Sequence, residues 1–420
     1  MLRRTRAVAA VLAVAAVVLT GGCANPRPAA TTSDEVEVFT WWASGGEKAG
    51  LDSLVRVFDS ACPGEHFVNG AVGGGAGSDA KTVLATRLQL GDPPDTFQVH
   101  AGAELSDYIN NGKVQDLSQE YAEWGLTDVF PPGLIANITT NGKIYSVPAN
   151  IHRANVLWGN KSVLARAGIT STATTLAGFF ADLEKLTEVG VATPLAVGTD
   201  WTQEMLFEAV LITDLGPETF DGLWTGRTDW AGAGVTQAIK DYKKLLGYSN
   251  ADRAGRDWTD AEKLLTDGKA GYQLMGDWEA ADLDSKGFTD YSYAPFPGNA
   301  GVYQWLADSF VLPVGAQNPE GTKCWLKTVG SAAGQQAFNT RKGSIPARTD
   351  AQPADYPAYQ QSAIADWKKD TQVPSCPHGS ACPQGWQAAV AAAQAAFSAS
   401  GDVARLQAAL VAAAKQYARG

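Results

Sequence analysis

Residues 91–105 read G-D-P-P-D-T-F-Q-V-H-A-G-A-E-L, and the fold prediction starts from this stretch. The two prolines end the helix predicted over 80–90, because a proline nitrogen has no hydrogen to donate to the helix. Residues 96–99 (T-F-Q-V) are β-branched, aromatic or apolar for the most part, which predicts a short buried strand. A helix followed directly by a buried strand is typical of an α/β sheet.

Two polar side chains share one side of this strand near its carboxyl end. Gln98 and His100 alternate with apolar neighbours, and alternate residues of a strand point to the same face. Ligands of open α/β sheets bind outside the carboxyl ends of the strands, so both residues are candidates for ligand contact. The alternative is a strand end whose polar residues only meet solvent, and the spacing alone leaves both interpretations open.

The same alternation of strands and helices continues along the chain. The predicted elements are strand 36–39, helix 48–62, strand 67–72, helix 80–90, and later helices over 176–187, 202–215 and 235–246. The pattern predicts a mainly parallel sheet covered by helices. The glycine-rich residues 73–77 lack the lysine of a P-loop and the spacing of a dinucleotide fingerprint, so no phosphate site is predicted there.

The length of the chain predicts two lobes. From residue 24 onward, about 400 residues exceed one ordinary domain. Two extended segments, 145–158 and 294–313, look like crossings between lobes, since each contains prolines and strand-like residues. No internal repeat is visible.

The amino terminus has the pattern of an export signal. Residues 1–6 carry three arginines, residues 7–20 are apolar, and T-G-G-C follows at 20–23. A membrane span would need about 20 apolar residues, more than this segment has. A cysteine after small residues resembles the lipobox of bacterial lipoproteins, which predicts a cleaved signal over 1–22, a lipidated Cys23 and a flexible tether over 23–35, at the outer face of the cell membrane. A soluble exported protein in which Cys23 has another role is the alternative.

The net charge of the chain bears on which partners it can bind. Without the three arginines of the signal, 30 basic residues stand against 44 acidic ones, a net charge of −14. This argues against nucleic acid as a partner, because nucleic-acid binding depends on clustered Lys and Arg.

Four cysteines remain after Cys23, an even number for an oxidising compartment. Cys376 and Cys382 bracket P-H-G-S-A and are predicted to close a small loop, which pairs Cys62 with Cys324 by elimination. A metal site made of Cys376, His378 and Cys382 is the competing interpretation. Export, and the lack of a second Cys/His cluster, argue against it, so no metal and no cofactor are predicted.

Several motifs carry a resemblance to a known family. They are Trp41-Trp42 after the first strand, G-D-P-P-D at 91–95, V-P at 147–148, G-D-W at 276–278 and D-S-F at 308–310. In this order they resemble the extracellular solute-binding proteins of bacterial ABC sugar importers, across essentially the whole mature chain. The chain is more narrowly similar to glucose/mannose-binding members, through F-Q-V-H-A-G (97–102), N-I-H-R-A-N-V (150–156), M-G-D-W (275–278) and K-G-S-I (342–345).

The resemblance implies a two-lobe periplasmic-binding-protein-like fold of type II, with hinge-linked lobes that close over one ligand. Lobe 1 would combine 36–148 with 300–345, and lobe 2 would combine 149–299 with 346–420. It also implies a monomer that captures a monosaccharide, glucose or a similar hexose, and delivers it to the transmembrane subunits of an ABC permease.

The resemblance also implies a set of sugar contacts. They are Trp42, Glu47, Gln98, His100, Trp258, Trp278, Asp308, Lys342 and His378, with Trp41 as a further candidate. Such a set suits a pyranose, because carboxylates, amides and imidazoles bind its hydroxyls and an aromatic face covers its C–H patches. Each residue also has a structural interpretation: Trp278 could be core, Asp308 a helix cap and Lys342 a solvated charge. His152 is assigned to the crossing segment and not to the site.

Two other functions stay open at this point. Asp308 and Glu47 could form the carboxylate pair of a secreted glycoside hydrolase, although no H-E-x-x-H or G-x-S-x-G motif marks another hydrolase chemistry. A surface lipoprotein without a ligand is the third possibility. Within the binding class, short oligosaccharides are the alternative to a monosaccharide.

Overall fold

The computed structural model describes residues 34–74 and 77–418. The predicted signal over 1–22, the lipidated Cys23 and all but the end of the tether lie outside the described residues. Glu35 already belongs to the first strand, so the tether ends before it. Within the described ranges, no helix is both long and apolar enough to cross a membrane.

The first third of the chain builds strands and helices in alternation. Its elements are β1 Glu35–Phe39, α1 Gly45–Ala61, β2 His66–Asn69, α2 Ser78–Leu90, β3 Thr96–His100, α3 Ala103–Asn110, α4 Ser118–Trp124, α5 Pro132–Asn137, β4 Thr139–Thr140, β5 Lys143–Ile144 and β6 Val147–Pro148. The strands and helices predicted for this region are confirmed, with bounds that differ by up to three residues.

The middle of the chain is mostly helical. Its elements are β7 His152–Arg153, β8 Val156–Asn160, α6 Lys161–Arg166, α7 Leu176–Glu188, β9 Thr193–Ala196, α8 Asp200–Leu215, α9 Pro217–Trp224, α10 Ala233–Leu246, α11 Trp258–Thr266, β10 Ala270–Met275, α12 Trp278–Ser285 and β11 Tyr291–Pro295. The last part adds β12 Val302–Leu306, β13 Asp308–Val311, α13 Pro319–Gly330, α14 Ala332–Lys342, α15 Ala358–Lys369, β14 Thr371–Pro374, α16 Gln384–Ser400 and α17 Val403–Tyr417.

Two larger sheets form the centres of the two lobes. One has the strand order β2-β1-β3-β13-β6 and the other the order β11-β8-β10-β9. The two-lobe α/β fold is therefore confirmed. The expectation of mainly parallel sheets is wrong: β1 is parallel to β2 and β3, but β13 is antiparallel to both β3 and β6, and β8 is antiparallel to both β10 and β11. The antiparallel strands adjoin the crossings, where the chain re-enters a sheet in the opposite direction.

The two predicted crossings meet in a third sheet. Its strand order is β14-β12-β7, with β7 from the first crossing antiparallel to β12 from the second. Ile151 also bridges Ile345 beside this sheet. The predicted lobe boundaries at 148 and 300 fall at the end of β6 and just before β12, and the full lobe assignments stay predictions.

The G-D-P-P-D stretch fixes the position of β3. Helix α2 ends at Leu90 and is capped by Gly91, whose φ of 72° lies in the left-handed region that a glycine adopts without strain. The carboxylate of Asp95 then accepts hydrogen bonds from the backbone nitrogens of Glu37 (2.9 Å) and Asn318 (2.8 Å). One side chain thereby ties β1 and the start of α13 to β3.

Both predicted disulfides are confirmed. Cys62 pairs with Cys324 across 262 residues, and Cys376 pairs with Cys382 across 6. The metal-site interpretation is wrong, because the two cysteines that would bind the metal are bonded to each other. No group of three or more His, Cys, Asp or Glu side chains in the described ranges could hold a metal ion.

Candidate functional site

The ends of two central strands meet at one place. His100 is the last residue of β3 and Asp308 the first of β13, and the two face each other in the antiparallel register. His100 Nε2 lies 3.8 Å from Asp308 Oδ1. The strand-end position predicted from the 91–105 stretch is therefore where polar groups converge.

A cavity of about 100 Å³ lies at this point. Eight of the ten predicted contact residues line it: Trp41, Glu47, His100, Trp258, Trp278, Asp308, Lys342 and His378. Gln98 and Trp42 do not. Several lining residues were not predicted, among them Ser44, His152, Trp201, Asp257 and Thr259.

Both oxygens of Asp308 accept hydrogen bonds from protein amides. Its Oδ1 accepts from the amide of Gln98 (2.8 Å) and its Oδ2 from the amide of Asn150 (2.7 Å). His152 Nε2 lies 3.4 Å from Oδ2. Burial acts to raise the pKa of Asp308, but the hydrogen bond from His152 and the charges of His152, His100 and Lys342 lower it below its ordinary value. Asp308 is therefore a carboxylate held in one orientation, and not the helix cap considered above.

His152 connects Asp308 to a second buried carboxylate. Its Nδ1 is hydrogen-bonded to Asp277, whose other oxygen accepts from the backbone nitrogen of Arg153 at 3.0 Å. Burial acts to lower the pKa of His152, but the charge and hydrogen bond of Asp277 outweigh it and raise the pKa. The ionised carboxylate of Asp277 can only accept a hydrogen bond, so Nδ1 of His152 must carry a hydrogen. This bond sets the orientation in which the His152 ring faces the cavity.

Gln98 supports the site from behind. Its Oε1 accepts from Thr40 Oγ1 and from the backbone nitrogen of Trp41 (3.3 Å), while its Nε2 donates to Asp308. Both ends of the side-chain amide therefore bond to protein groups. The side chain therefore orients Asp308 and the segment that carries Trp41.

The two adjacent tryptophans separate. Trp42 is fully buried and packs on Phe310 and Phe338, with ring centroids 5.5 and 4.5 Å away. Trp41 lines the cavity, with its ring 5.0 Å from that of His100. The predicted contact of Trp42 with the ligand does not fit this packing, because its ring packs on Phe310 and Phe338 and is not part of the cavity wall.

A paired cation and carboxylate form another part of the wall. Lys342 Nζ lies 2.9 Å from Glu47 Oε1 and 5.4 Å from the centre of the Trp278 ring. Lys342 is buried, so it is not the solvated charge considered above. The pair leaves two of three ammonium hydrogens and one carboxylate oxygen for other partners.

His378 comes from the disulfide-closed loop. Its Nδ1 lies 3.0 Å from Ser375 Oγ, and its buried Nε2 has no hydrogen-bond partner in the described part of the chain. Burial, with the nearby charges of His100 and Lys81, lowers its pKa well below the ordinary value, so the ring is neutral. The Ser375 hydroxyl lies 2.9 Å from Glu208. When that hydroxyl donates its hydrogen to Glu208, it accepts a hydrogen bond from His378 Nδ1, and His378 Nε2 then carries no hydrogen and can accept one.

The loop that carries His378 is fixed against the start of α3. The backbone nitrogens of Ala103 and Glu104 donate to the carbonyls of Ser380 (3.2 Å) and Gly379 (2.9 Å). The φ of Gly102 is 124°, and a Cβ there would stand 2.5 Å from the Ser380 oxygen. Glycine is therefore required for this approach.

Three contributors to the site were missed by sequence reasoning. His152 lies inside the N-I-H-R-A-N-V motif, which was a usable signal. Trp201 stands near the start of α8 without any local motif. Glu104 is buried and joins His100 Nδ1 (3.0 Å) to Lys81 (2.7 Å), and these two neighbours outweigh the effect of burial to lower its pKa to about 2.

The model of the family described as bacterial extracellular solute-binding protein matches residues 39–336. An uncharacterized ABC transporter extracellular-binding protein of Pyrococcus horikoshii is 35% identical over 391 residues, covering 90% of this chain and 88% of that protein. A protein of Rhizobium meliloti, named probable sugar-binding periplasmic protein, is 33% identical and covers 84% of this chain and 87% of its own length.

Among solved structures, a chitin oligosaccharide binding protein superposes with a TM-score of 0.80 at 21% identity, covering 92% of this chain and 100% of that one. At this identity the match shows the fold alone. The family match spans more than half of the chain, and the two relatives exceed 30% identity over most of it. The chain therefore belongs to the bacterial extracellular solute-binding proteins.

Proposed function

We propose that the protein is an exported sugar receptor that captures a monosaccharide, glucose or a similar hexose, between its two lobes and delivers it to an ABC import permease. The contacts would come from the eight predicted residues that line the cavity, joined by His152 and Trp201. Gln98 would act by orienting Asp308. The Rhizobium meliloti relative, whose name says that it binds sugar, supports the substrate class.

The observation that carries the proposal is the combination of tryptophan faces with a buried imidazole nitrogen that has no partner among the described residues. Trp278 and Trp201 lie with ring centroids 5.6 and 5.9 Å from that of His378. A pyranose has apolar C–H faces for the indoles and hydroxyls for His378 Nε2. A buried polar atom without a partner costs about 1–3 kcal/mol, so a ligand hydroxyl at this nitrogen would contribute to affinity.

Size and charge favour a single neutral ring in this cavity. Its volume is about 100 Å³, room for several water-sized groups. The cations and carboxylates on the wall are largely paired with one another, as in the bridge between Lys342 and Glu47. A neutral polyol can bind to such groups without adding an unpaired charge.

The chemistry of Asp308 argues against its acting as the general acid of a glycoside hydrolase. A general acid of that class needs a raised pKa, so that it still carries a proton near neutral pH. The pKa of Asp308 is lowered instead, and both of its oxygens accept from amides. We infer that Asp308 binds hydroxyls and carries out no proton transfer.

Calorimetric titration at pH 7 with glucose, mannose, galactose and xylose tests the substrate class. At least one hexose should give a saturable isotherm with one site. Incubation with nitrophenyl glucosides should release no nitrophenol. Turnover would contradict the receptor function, and so would the lack of binding to every sugar in the panel.

We also propose that Cys23 carries the lipid anchor. Replacing it, Cys23→Ala, should move the protein from the membrane fraction into the soluble exported fraction. Cys62→Ala is not a suitable control, since it breaks a disulfide, so an exposed substitution such as Ser60→Ala serves. Membrane retention of Cys23→Ala at the wild-type level would contradict the anchor.

A further inference from the structure

A buried carboxyl group lies behind His378, outside the cavity wall. Glu208 of α8 is 2% exposed and is not one of the lining residues. Its Oε1 accepts from the backbone nitrogen of Cys376 at 2.9 Å, and its Oε2 faces the Ser375 hydroxyl at 2.9 Å. Because Ser375 and Cys376 begin the loop that carries His378, Glu208 connects that loop to α8.

Ser375 links this carboxyl group to the imidazole ring. Its oxygen lies 2.9 Å from Glu208 Oε2 and 3.0 Å from His378 Nδ1. A hydroxyl has a single hydrogen, so to form both bonds it has to donate to one neighbour and accept from the other. The two bonds therefore share one direction: both hydrogens point toward Glu208, or both point toward His378.

The protonation state of Glu208 selects between these directions. An ionised carboxylate can only accept, so the Ser375 hydroxyl donates to it, and the His378 ring carries its hydrogen on Nδ1. A protonated Glu208 donates from Oε2 to Ser375, because the Gln304 amide also donates to that oxygen and cannot take the hydrogen. Ser375 then donates to Nδ1, and the hydrogen of the neutral ring is on Nε2.

The two states differ by one proton. When Glu208 goes from protonated to ionised, its hydrogen moves to the Ser375 oxygen and the Ser375 hydrogen moves to His378 Nδ1. The hydrogen of His378 Nε2 leaves to solvent. The ring is neutral in both states, which agrees with the pKa of His378 being held well below its ordinary value by burial.

The ionisation of Glu208 falls in a range that experiments can reach. Burial raises the pKa of Glu208 to about 8, although hydrogen bonds from Cys376, Ser375 and Gln304 act to lower it. Glu208 therefore holds a proton at neutral pH and loses it in mildly alkaline solution.

Few other titratable groups surround Glu208 besides the imidazole. Glu204 lies one turn earlier in α8, and burial, with the charge of Glu208, raises its pKa well above the ordinary value. Burial also raises the pKa of three phenols on neighbouring elements, which stay neutral up to about pH 10: Tyr242 of α10, Tyr272 of β10 and Tyr303 of β12. Helix α16 and strand β14 carry no titratable side chain, and the charged residues of α9 and α10 lie at exposed or half-buried positions.

We propose that Glu208 is a positioning residue of the sugar site, which sets through Ser375 whether His378 Nε2 accepts a hydrogen bond from the sugar or donates one to it. With Glu208 ionised, Nε2 accepts and needs the hydrogen of a hydroxyl. With Glu208 protonated, Nε2 donates and needs a lone pair. The inference rests on the proposed function, because its consequence is a contact between His378 and a sugar hydroxyl.

The first experiment observes the His378 ring directly, without a sugar. Nitrogen–hydrogen correlation NMR spectra of protein with isotopically labelled histidines distinguish a ring with its hydrogen on Nδ1 from a ring with its hydrogen on Nε2. The ring of interest is identified by its absence from the spectrum of His378→Gln. Its hydrogen should be on Nε2 at about pH 6.5 and on Nδ1 at about pH 9.5, with a midpoint near the Glu208 pKa of about 8.

Three variants identify the group responsible. Glu208→Gln keeps the shape of the side chain and can donate to Ser375 at every pH, so the ring should keep its hydrogen on Nε2 throughout. Ser375→Ala separates Glu208 from the ring, so the pH-dependent change should also be lost, which keeps the test available if Glu208→Gln does not fold. Glu204→Gln is the matched control: it removes the neighbouring buried carboxyl group and should leave the change in place.

The second experiment measures the consequence for binding. The hexose that titrates most tightly is compared with deoxyfluoro analogues, in which fluorine replaces one hydroxyl at a time and has no hydrogen to donate. The analogue altered at the hydroxyl that contacts His378 should bind about tenfold more weakly than the hexose at about pH 9.5, where Nε2 has to receive a hydrogen. At about pH 6.5 the loss should be at most about threefold, and Glu208→Gln should show that smaller loss at both pH values.

The outcomes separate this inference from the proposed function. A His378 hydrogen that stays on one nitrogen at both pH values, or that still moves in Glu208→Gln, would overturn the inference even if a hexose binds. A pH-dependent ring with no pH dependence in the relative affinity of any analogue would also overturn it, since the ring would then not act on the sugar. If no sugar binds, the proposed function fails, and the positioning role fails with it.

Discussion

The two sides of the sugar cavity are built differently. On the strand-end side, Asp308 and His152 have their orientations set by hydrogen bonds to Gln98, Asn150 and Asp277. On the loop side, His378 has one ring nitrogen bound to Ser375 and the other without a partner in the part of the chain that the structure describes. The first side is organised by the sheet, whereas the second depends on a short loop closed by a disulfide. Substitutions on the two sides should therefore differ in how much they change the stability of the protein and how much they change its affinity for the sugar.

The largest expected effect comes from the two disulfides, which differ in the length of chain they close. Removing Cys62–Cys324 by a double serine substitution should reduce the free energy of unfolding by about 5 kcal/mol, because that bond closes a long loop. The corresponding loss for Cys376–Cys382 should be about 2 kcal/mol on the same chain-entropy model. Urea unfolding monitored by tryptophan fluorescence measures both.

Affinity should show the opposite order. The short bond holds the loop of His378, so its loss should weaken hexose binding, while loss of the long bond should leave the affinity of the folded fraction near wild type. Calorimetry below the unfolding transition makes the comparison. Equal affinity losses in the two double variants would show that the loop does not position a ligand contact.

The tryptophans provide the next comparison. Trp42→Ala should cost about 3–5 kcal/mol of stability, since it leaves a cavity between Phe310 and Phe338. Trp278→Ala should instead weaken hexose binding by about 1–3 kcal/mol, through loss of an aromatic face. Melting temperature and a titration on each variant separate the roles. A Trp278→Ala protein that loses stability but keeps its affinity would show that Trp278 is a core residue and not a ligand contact.

The smallest expected effect is a pH dependence of stability from His378. Its pKa is lowered in the folded protein, so below about pH 6.5 the unfolded chain binds a proton that the folded chain does not. Stability therefore falls as the pH drops below this value, by at most about 1.4 kcal/mol per pH unit. The pKa of Glu208, raised by burial to about 8, acts in the opposite direction, since its folded form holds a proton at higher pH.

Because the two effects oppose each other, the measurement is a difference between proteins. His378→Gln removes the histidine contribution alone, so the variant should gain stability relative to wild type as the pH falls from 7 to 5. Urea midpoints at several pH values give that difference. His66→Gln, at an exposed position, serves as the comparison variant. A constant difference between His378→Gln and wild type would contradict the buried, neutral state of His378.

Much of this arrangement could be predicted from the sequence, because local signals were strong where the backbone is constrained. The proline pair and Gly91 mark the end of α2, and the strand after them follows from its residue types. The spacing of Cys376 and Cys382 predicted one disulfide, and elimination then paired Cys62 with Cys324. The family resemblance placed eight of its ten candidate residues on the wall of the cavity.

The errors came from features that depend on packing between distant segments. Trp41 and Trp42 are equivalent as sequence, and only the packing of Phe338 from α14 decides which one is core. The available signal was spacing, since Trp42 lies an even number of residues after the buried Val36 and Val38. Helices cover both faces of the sheet, which weakens that signal. The antiparallel strands β8 and β13 could not be derived from strand–helix alternation, because their direction is set by the crossings.

A crystal structure of the protein with the hexose that titrates most tightly tests the central claim most directly. The account predicts one pyranose in the cavity, with its C–H face on Trp278, one hydroxyl within about 3.2 Å of His378 Nε2 and another at Asp308. Gln98 and Trp42 should make no contact with the sugar. A hexose bound elsewhere on the protein, or in the cavity without contact to either His378 or Asp308, would contradict the account.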